Sequence, residues 1–152
     1  MNPMDMTNNK FKNIFIQGAI SPDFISQSLK KHSTKTDIGA HSIFLGQVRS
    51  DTIDGKIVSE IEYTAYEEMA LSKMHEIREE IFRKYPLICM HIYHSLGLVK
   101  SGEICLFVFT SSKHRKSAIA ACEDIVERIK AELPIWGKEK MEDNSQQWKI
   151  NS

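Results

Sequence analysis

Three groups of residues in this chain have the types and spacing to do chemistry. The first lies in "SSKHRKSAIAACEDIVERIKAELPIWGKE", residues 111–139. It reads as one helix with His114 and Arg115 at its entrance and Lys130 near its exit, followed by a Pro-Ile-Trp-Gly-Lys turn. The free N–H groups of a helix start and the positive end of its dipole favour an anion. Ser111 or Ser112 can cap this start, and His114 and Arg115 add side-chain donors. An arginine can clamp phosphate or carboxylate oxygens in a bidentate way. The other reading is a capped helix with a solvated basic first turn, which costs roughly a few tenths of a kcal/mol because cations there oppose the dipole. Ala118, Cys122, Ile125 and Ile129 form the centre of the apolar stripe, and Ile119, Val126 and Lys130 run along its edge. Lys130 therefore projects beside the buried face, where it either snorkels to solvent or lines a pocket.

The second group is His91, His94 and the three cysteines. Both histidines fall in a predicted strand, where positions three apart point to opposite faces, so they do not share a metal. Cys89 and Cys105 lie among apolar strand residues and Cys122 lies on the helix stripe, so all three read as small hydrophobes. The third group is Arg49 alone, at the end of "IFLGQVR" beside a loop, a place where function often resides.

The elements that must position these residues follow from periodicity. "FKNIFIQ" is a short strand. "ISPDFISQSLKK" starts a helix, with Ser21 as cap, Pro22 in the first turn and Ile20 against Ile25 as a hydrophobic staple. "GAHSIFLGQVR" is a buried strand, and "SDTIDG" is a loop with an Asp54-Gly55 turn signal. "KIVSEIEYTAY" is a strand placing Ile57, Ser59, Ile61 and Tyr63 on one face. A second helix runs from about Tyr66 to Lys84. Ala70, Met74, Ile77 and Ile81 lie on one face of it, Met69 reads as core packing, and Pro86 ends it. "LICMHIYHSLG" and "GEICLFVFTS" are strands joined around Gly97 to Gly102, and a short strand is expected around Trp148. The β-α-β-β-α-β-β-α order predicts an α+β sandwich with three main helices and a mixed or antiparallel sheet.

Composition bounds the function. The 152 residues suit one domain, expected over 11–152 behind a disordered stretch at 1–10. Lys+Arg and Asp+Glu both number 20, so no net basic field draws the chain to nucleic acid or a membrane surface. No apolar run approaches a membrane span, and "MNPMDMTNNK" lacks the apolar core of a secretory signal. Three scattered cysteines without a Cys-x-x-Cys predict a reduced, cytoplasmic setting.

Taken together, "FLGQVR", "EYTAYEEMA", "GLVKSGE", "SSKHRKSA", "IKAELPIWGKE" and the late Trp148 resemble, in order and spacing, the large catalytic subunit family of molybdopterin synthase. The resemblance spans residues 44–148. It implies an α/β hammerhead fold and a sulfur transferase of molybdenum cofactor synthesis. The implied substrate is cyclic pyranopterin monophosphate, converted to the dithiolene molybdopterin. Sulfur would arrive as a thiocarboxylate on the Gly-Gly tail of a small ubiquitin-like partner, with no cofactor or metal. The implied assembly is a homodimer with one small subunit at each end, a heterotetramer. By the same resemblance Arg49, His114 and Arg115 are substrate-binding, as are Gln47, Gly137 and Glu139 within the matching motifs, and Lys130 is catalytic. Two positions depart from the family pattern. Gly137 stands where a second catalytic lysine is usual, with Lys138 next, so either Lys138 takes that role or Gly137 merely eases the turn. A common His-Arg pair is here His94-Ser95. Two readings outside this family are a non-catalytic module holding a phosphorylated ligand or partner peptide, and a small RNA-binding domain. The neutral charge and the absence of a basic-aromatic strand motif weigh against the RNA reading.

Overall fold

A computed structural model describes residues 11–151; the stretch 1–10, expected to be disordered, lies outside the described residues. In chain order the elements are β1 (Phe15–Gln17), α1 (Pro22–His32), β2 (Ala40–Gln47), β3 (Thr52–Ile53), β4 (Lys56–Ala65), α2 (Glu67–Lys84), β5 (Leu87–Lys100), β6 (Ile104–Ser112), α3 (Arg115–Glu132), β7 (Ile135–Met141) and β8 (Gln146–Trp148). The strands form one sheet in the order β2-β6-β5-β4-β7-β8, with β1 parallel to β5 and β3 paired to β4. Among the described residues the fold is α+β with three helices, as the periodicity predicts. Among the described residues no helix is long and apolar enough to cross a membrane.

Strand β6 shows why the sheet is covered on both sides. Phe107 and Phe109 point to a small cluster with Ile20, Phe24 and Ile25 of the α1 region. Leu106 and Val108, on the alternate face, join the main core with Met74, Ile77 and Ile81 of α2 and Ile125 and Ile129 of α3. Helix α1 starts as expected, with the Phe24 N–H donating to Ser21 Oγ at 3.1 Å and Ile20 and Ile25 in one cluster.

The structure corrects several local readings. The "SDTIDG" loop is a hairpin, β3 to β4, turned by Asp54 and Gly55 with φ of 53° and 78°. In β4 a register shift between Val58 and Glu60 resets the alternation. Ile57 is therefore exposed while Val58 and Ile61 are buried. Strand β5 does not stop at Gly97 but continues to Lys100. At Gly97, with φ of 83°, it changes partner, pairing β6 up to His94 and β4 from Gly97 onward. Met69 is 61% exposed, because it precedes the buried Ala70 by one residue and so sits about 100° around the helix from it. The Pro-Ile-Trp-Gly-Lys segment is not a turn. Residues from Ile135 onward form β7, antiparallel to β4 with Gly137 opposite Tyr63.

Among the described residues one buried side-chain group is left without a hydrogen-bond partner. Ser95, at the departure from the family's His-Arg pair, is fully buried, and its hydroxyl is unbonded among the described residues. An unsatisfied buried hydroxyl costs about 1–3 kcal/mol. Ser95→Ala is expected to raise the urea midpoint by the equivalent of about 1 kcal/mol at unchanged slope. A lowered midpoint would show that the hydroxyl has a partner in solution.

Candidate active site

The exit of α3, the end of β2 and the β4–β7 ladder enclose a pocket of roughly 270 Å³. Its walls carry Gln47 and Arg49 from β2 and the loop after it, Lys130 from α3, and Gly137 and Glu139 from β7. Five of the eight site residues expected from sequence therefore meet in one place.

Each is positioned by backbone geometry. A register shift at Gly46/Gln47 ends the β2–β6 ladder, and the chain is then fastened to the β5–β6 turn. Val48 N–H donates to Glu103 O at 3.0 Å, and Gly102 N–H donates to Val48 O at 2.8 Å. Arg49 projects from this fastened end and meets Asp51, with Nε to Oδ1 at 3.3 Å. Its side chain stays 68% exposed, so the pair is weak and open to exchange for a ligand. Lys130 lies in the last turn of α3, beside the buried Ile129, and is exposed. Lys130 both reaches solvent and lines the pocket, so the two alternatives at this position hold together.

The floor is polar and was not found from sequence. Tyr63, His94 and Cys105 line it together with Glu139. Burial, then the Cys105 thiol and the Glu139 charge, push the Tyr63 phenol far above its usual range. Burial, opposed by a bond to the Ser95 carbonyl and aided by the Lys130 charge, lowers the His94 imidazole to about 4. His94 packs edge-on against Tyr63 with ring centroids 5.2 Å apart. Glu139 is 5% exposed and accepts from Gln147 Nε2 at 3.4 Å. The floor thus combines a neutral imidazole, a neutral phenol and one buried carboxylate under a cationic rim. The alternation of β4 gave a signal for Tyr63, but the convergence of four strands gave none. Lys149 and Asn151, from the segment after β8, also line the pocket. The weak polar pattern around Trp148 hides them in the sequence.

Three expected residues stand elsewhere. His114 is the N-cap of α3 and Arg115 its first residue, both exposed and at the far end of the helix. Neither Ser111 nor Ser112 caps that start. Ser111 Oγ bonds His41 Nδ1 at 2.7 Å, and the Ser112 hydroxyl donates to the His114 carbonyl. No side chain caps α3, so its first N–H groups are free for an anion. Lys138 follows Gly137 by one residue and so faces the other side of β7. There its Nζ lies 4.8 Å from the centroid of the Trp148 ring, and the pocket does not reach it.

His91 and His94 do face opposite ways. His91 meets His32, Nε2 to Nε2, at 3.0 Å, and with Cys89 their ligand atoms lie within 4.8 Å of one another. Lys35 Nζ already donates to Cys89 Sγ at 3.0 Å. Burial, and after it the charges of Lys12, His32, Arg78 and Lys35, lowers the His91 imidazole to about 4. Those surrounding cations oppose a divalent ion, and the cluster reads as a hydrogen-bonded packing unit.

Comparison with known proteins places this geometry. The family model described as "MoaE protein" matches residues 19–132. A molybdopterin synthase catalytic subunit from Aspergillus clavatus is 35% identical over 139 residues, 91% of this chain and 69% of that protein. One from Pyrococcus abyssi is 36% identical over 115 residues, 76% of each. A crystal structure of molybdopterin synthase from Staphylococcus aureus superposes with a TM-score of 0.79 at 33% identity, covering 93% of this chain and 97% of that one.

The buried imidazole gives a pH signature. Burial holds the folded His94 imidazole down to about 4, below its ordinary value of 6.5, so between these values the unfolded chain binds more protons. Stability is then fully present above pH 6.5 and falls as pH drops through 4; His91 acts in the same direction. Urea midpoints are expected to fall between pH 7 and 5, and less steeply in His94→Gln. Equal slopes for the two proteins would show that His94 is not buried neutral.

Proposed function

The chain belongs to the MoaE protein family, and from that membership we propose that it is an enzyme, a sulfur transferase converting cyclic pyranopterin monophosphate to molybdopterin. The sulfur donor is the C-terminal thiocarboxylate of a small ubiquitin-like partner ending in Gly-Gly. The observation that carries this reading is the convergence of Lys130, Arg49, Gln47 and Glu139 on one pocket. Each chemical requirement has a matching feature. The substrate carries a cyclic phosphate and needs anion donors, which Arg49 and the uncapped start of α3 with His114 and Arg115 supply.

In the reaction the thiocarboxylate sulfur bonds to a carbon of the pterin side chain as that carbon's bond to oxygen breaks and the electron pair leaves on the oxygen, giving a thioester between tail and substrate; a second thiocarboxylated tail delivers the second sulfur of the dithiolene in the same way. Water then adds to the thioester carbonyl carbon, and its π electrons move onto oxygen. Collapse of that oxyanion breaks the carbon–sulfur bond to the tail, leaving sulfur on the substrate and a carboxylate on the tail. Lys130 sits exposed at the rim, where its ammonium can stabilise the oxyanion and pass protons. The sulfur comes from the partner, so the buried thiols of Cys89, Cys105 and Cys122 have no part in it. No cofactor is needed, and a reducing cytoplasm suits the free thiols.

The length of α3 argues for a dimer. Arg115 and Lys130 are fifteen positions apart, or roughly 22 Å at about 1.5 Å per residue, too far to hold one small pterin. Two copies related by a two-fold axis would bring the entrance of α3 in one to the exit of α3 in the other, forming two equal sites. The exposed Ile43 and Leu45 on the edge strand β2, and Ile119 on α3, offer apolar surface for that contact. We place one small subunit at each end of the dimer.

Purified chain, thiocarboxylated partner and substrate should yield molybdopterin; no product would leave only a binding module. Lys130→Ala is expected to lose most activity, on the order of a hundredfold, with folding and partner binding nearly intact. Near-normal synthesis would remove Lys130 from the chemistry. Arg115→Ala and Lys130→Ala chains should each be nearly inactive alone but regain activity when mixed, since one site of the heterodimer then carries neither lesion. Forced heterodimers as inactive as the parents would place both residues in a site within one chain.

A further inference from the structure

We infer that Lys149 is a second catalytic cation of the pocket, facing the reacting sulfur alongside Lys130. This rests on the sulfur-transfer reading above.

The β7–β8 ladder pairs Lys138 with Trp148 and continues one step further, where Lys149 N–H donates to Gly137 O at 2.8 Å. Residues opposite one another in an antiparallel pair share a face. Lys149 thus lies on the face of Gly137 and Glu139 and lines the pocket with them. Lys138 and Lys140 lie on the other face, the first over the Trp148 ring and the second 3.6 Å from Glu62.

Gly137 cannot supply a side chain to this wall without displacing its neighbours. A Cβ there would lie 2.9 Å from Ile61 Cγ2 and 3.2 Å from Tyr63 Cε1. Ile61 and Tyr63 fill that space, so a cation on this wall has to come from the adjacent strand. The segment that carries Lys149 is held at both sides. Its own N–H is bound to β7, and Asn151 Nδ2 donates to the Lys130 carbonyl at 3.4 Å.

The charges of the pocket leave two ammonium groups for a ligand. Arg49 holds Asp51 in an exposed, exchangeable pair and is already assigned to the substrate phosphate, and Glu139 accepts from Gln147. Among the described residues no carboxylate pairs with Lys130 or Lys149, which both line the pocket. The proposed reaction needs two cations at one moment. When the thioester splits, the sulfur leaves as a thiolate on the pterin while the tail becomes a carboxylate. With Lys130 at the carbonyl oxygen and Lys149 at the sulfur, each developing anion faces an ammonium.

The test is the first turnover of molybdopterin formation with excess thiocarboxylated partner. Lys149→Ala should slow it on the order of a hundredfold, Lys149→Arg should recover part of the loss, and Lys140→Ala should react normally. Binding of the partner without sulfur and the tryptophan fluorescence maximum, to which Trp148 contributes, should be unchanged in Lys149→Ala, because its backbone bond to Gly137 survives. An active wild type with a Lys149→Ala rate within about threefold of it would overturn the proposal. So would equal losses in the alanine and arginine variants accompanied by a shifted tryptophan emission, which mark a purely structural role. A wild type that forms no product instead defeats the sulfur-transfer reading itself.

Discussion

The ladder between β4 and β7 is the constraint on which the pocket depends. It runs antiparallel from Val58 opposite Met141 to Ala65 opposite Ile135, so the chain leaving α3 is folded straight back along the sheet. That return places the exit of α3 beside the end of β2, although the two are more than eighty residues apart in sequence. It also fixes side-chain direction by strict alternation. Gly137 and Glu139 face the pocket, and Lys138 and Lys140 face away. At 5% exposure Glu139 is a buried polar group, and its bond to Gln147 of β8 helps keep it tolerable. Strand β8 is therefore part of the site and not a loose tail.

Most of the scaffold could be read from periodicity, because helices and long strands report their burial locally. The stripe of Ala70, Met74, Ile77 and Ile81 and the Ser21 cap are of this kind. The failures share one cause, which is pairing with a distant partner. Pro134 and Gly137 look like turn residues in isolation, yet Pro134 only opens β7 and Gly137 is there because Tyr63 and Ile61 crowd it. The bulge near Ser59 moves Ile57 into solvent, and nothing in the local pattern of β4 shows where an extra residue is inserted. Ser111 and Ser112 were available as caps, but the β2 and β6 strands already use their positions, and His114 becomes the boundary residue.

The candidate site divides in the same way. Gln47, Arg49, Lys130 and Glu139 belong to short motifs, so the sequence could mark them before any geometry was known. Tyr63, His94, Cys105 and Lys149 come from four different strands or their ends, and only the sheet order β6-β5-β4-β7-β8 brings them together. The Gly97 bend is essential to that order. It lets one strand hand over from β6 to β4, so that His94 and Tyr63 meet ring to ring while Cys105 stays close by.

The division of charge in the pocket follows from burial. Deep groups are cheaper when neutral, and burial drives both the His94 imidazole and the Tyr63 phenol to their uncharged forms. Cations are retained where solvent still reaches them, at Lys130 and Arg49. A ligand entering such a pocket meets apolar and neutral polar groups below and positive charge above. An anionic tail or a phosphate would be held at the rim, where its charge is balanced. The uncharged part of a pterin would go deeper, where a carboxylate and neutral donors can orient its ring. This ordering also favours release, because a carboxylate formed at the rim is already next to water.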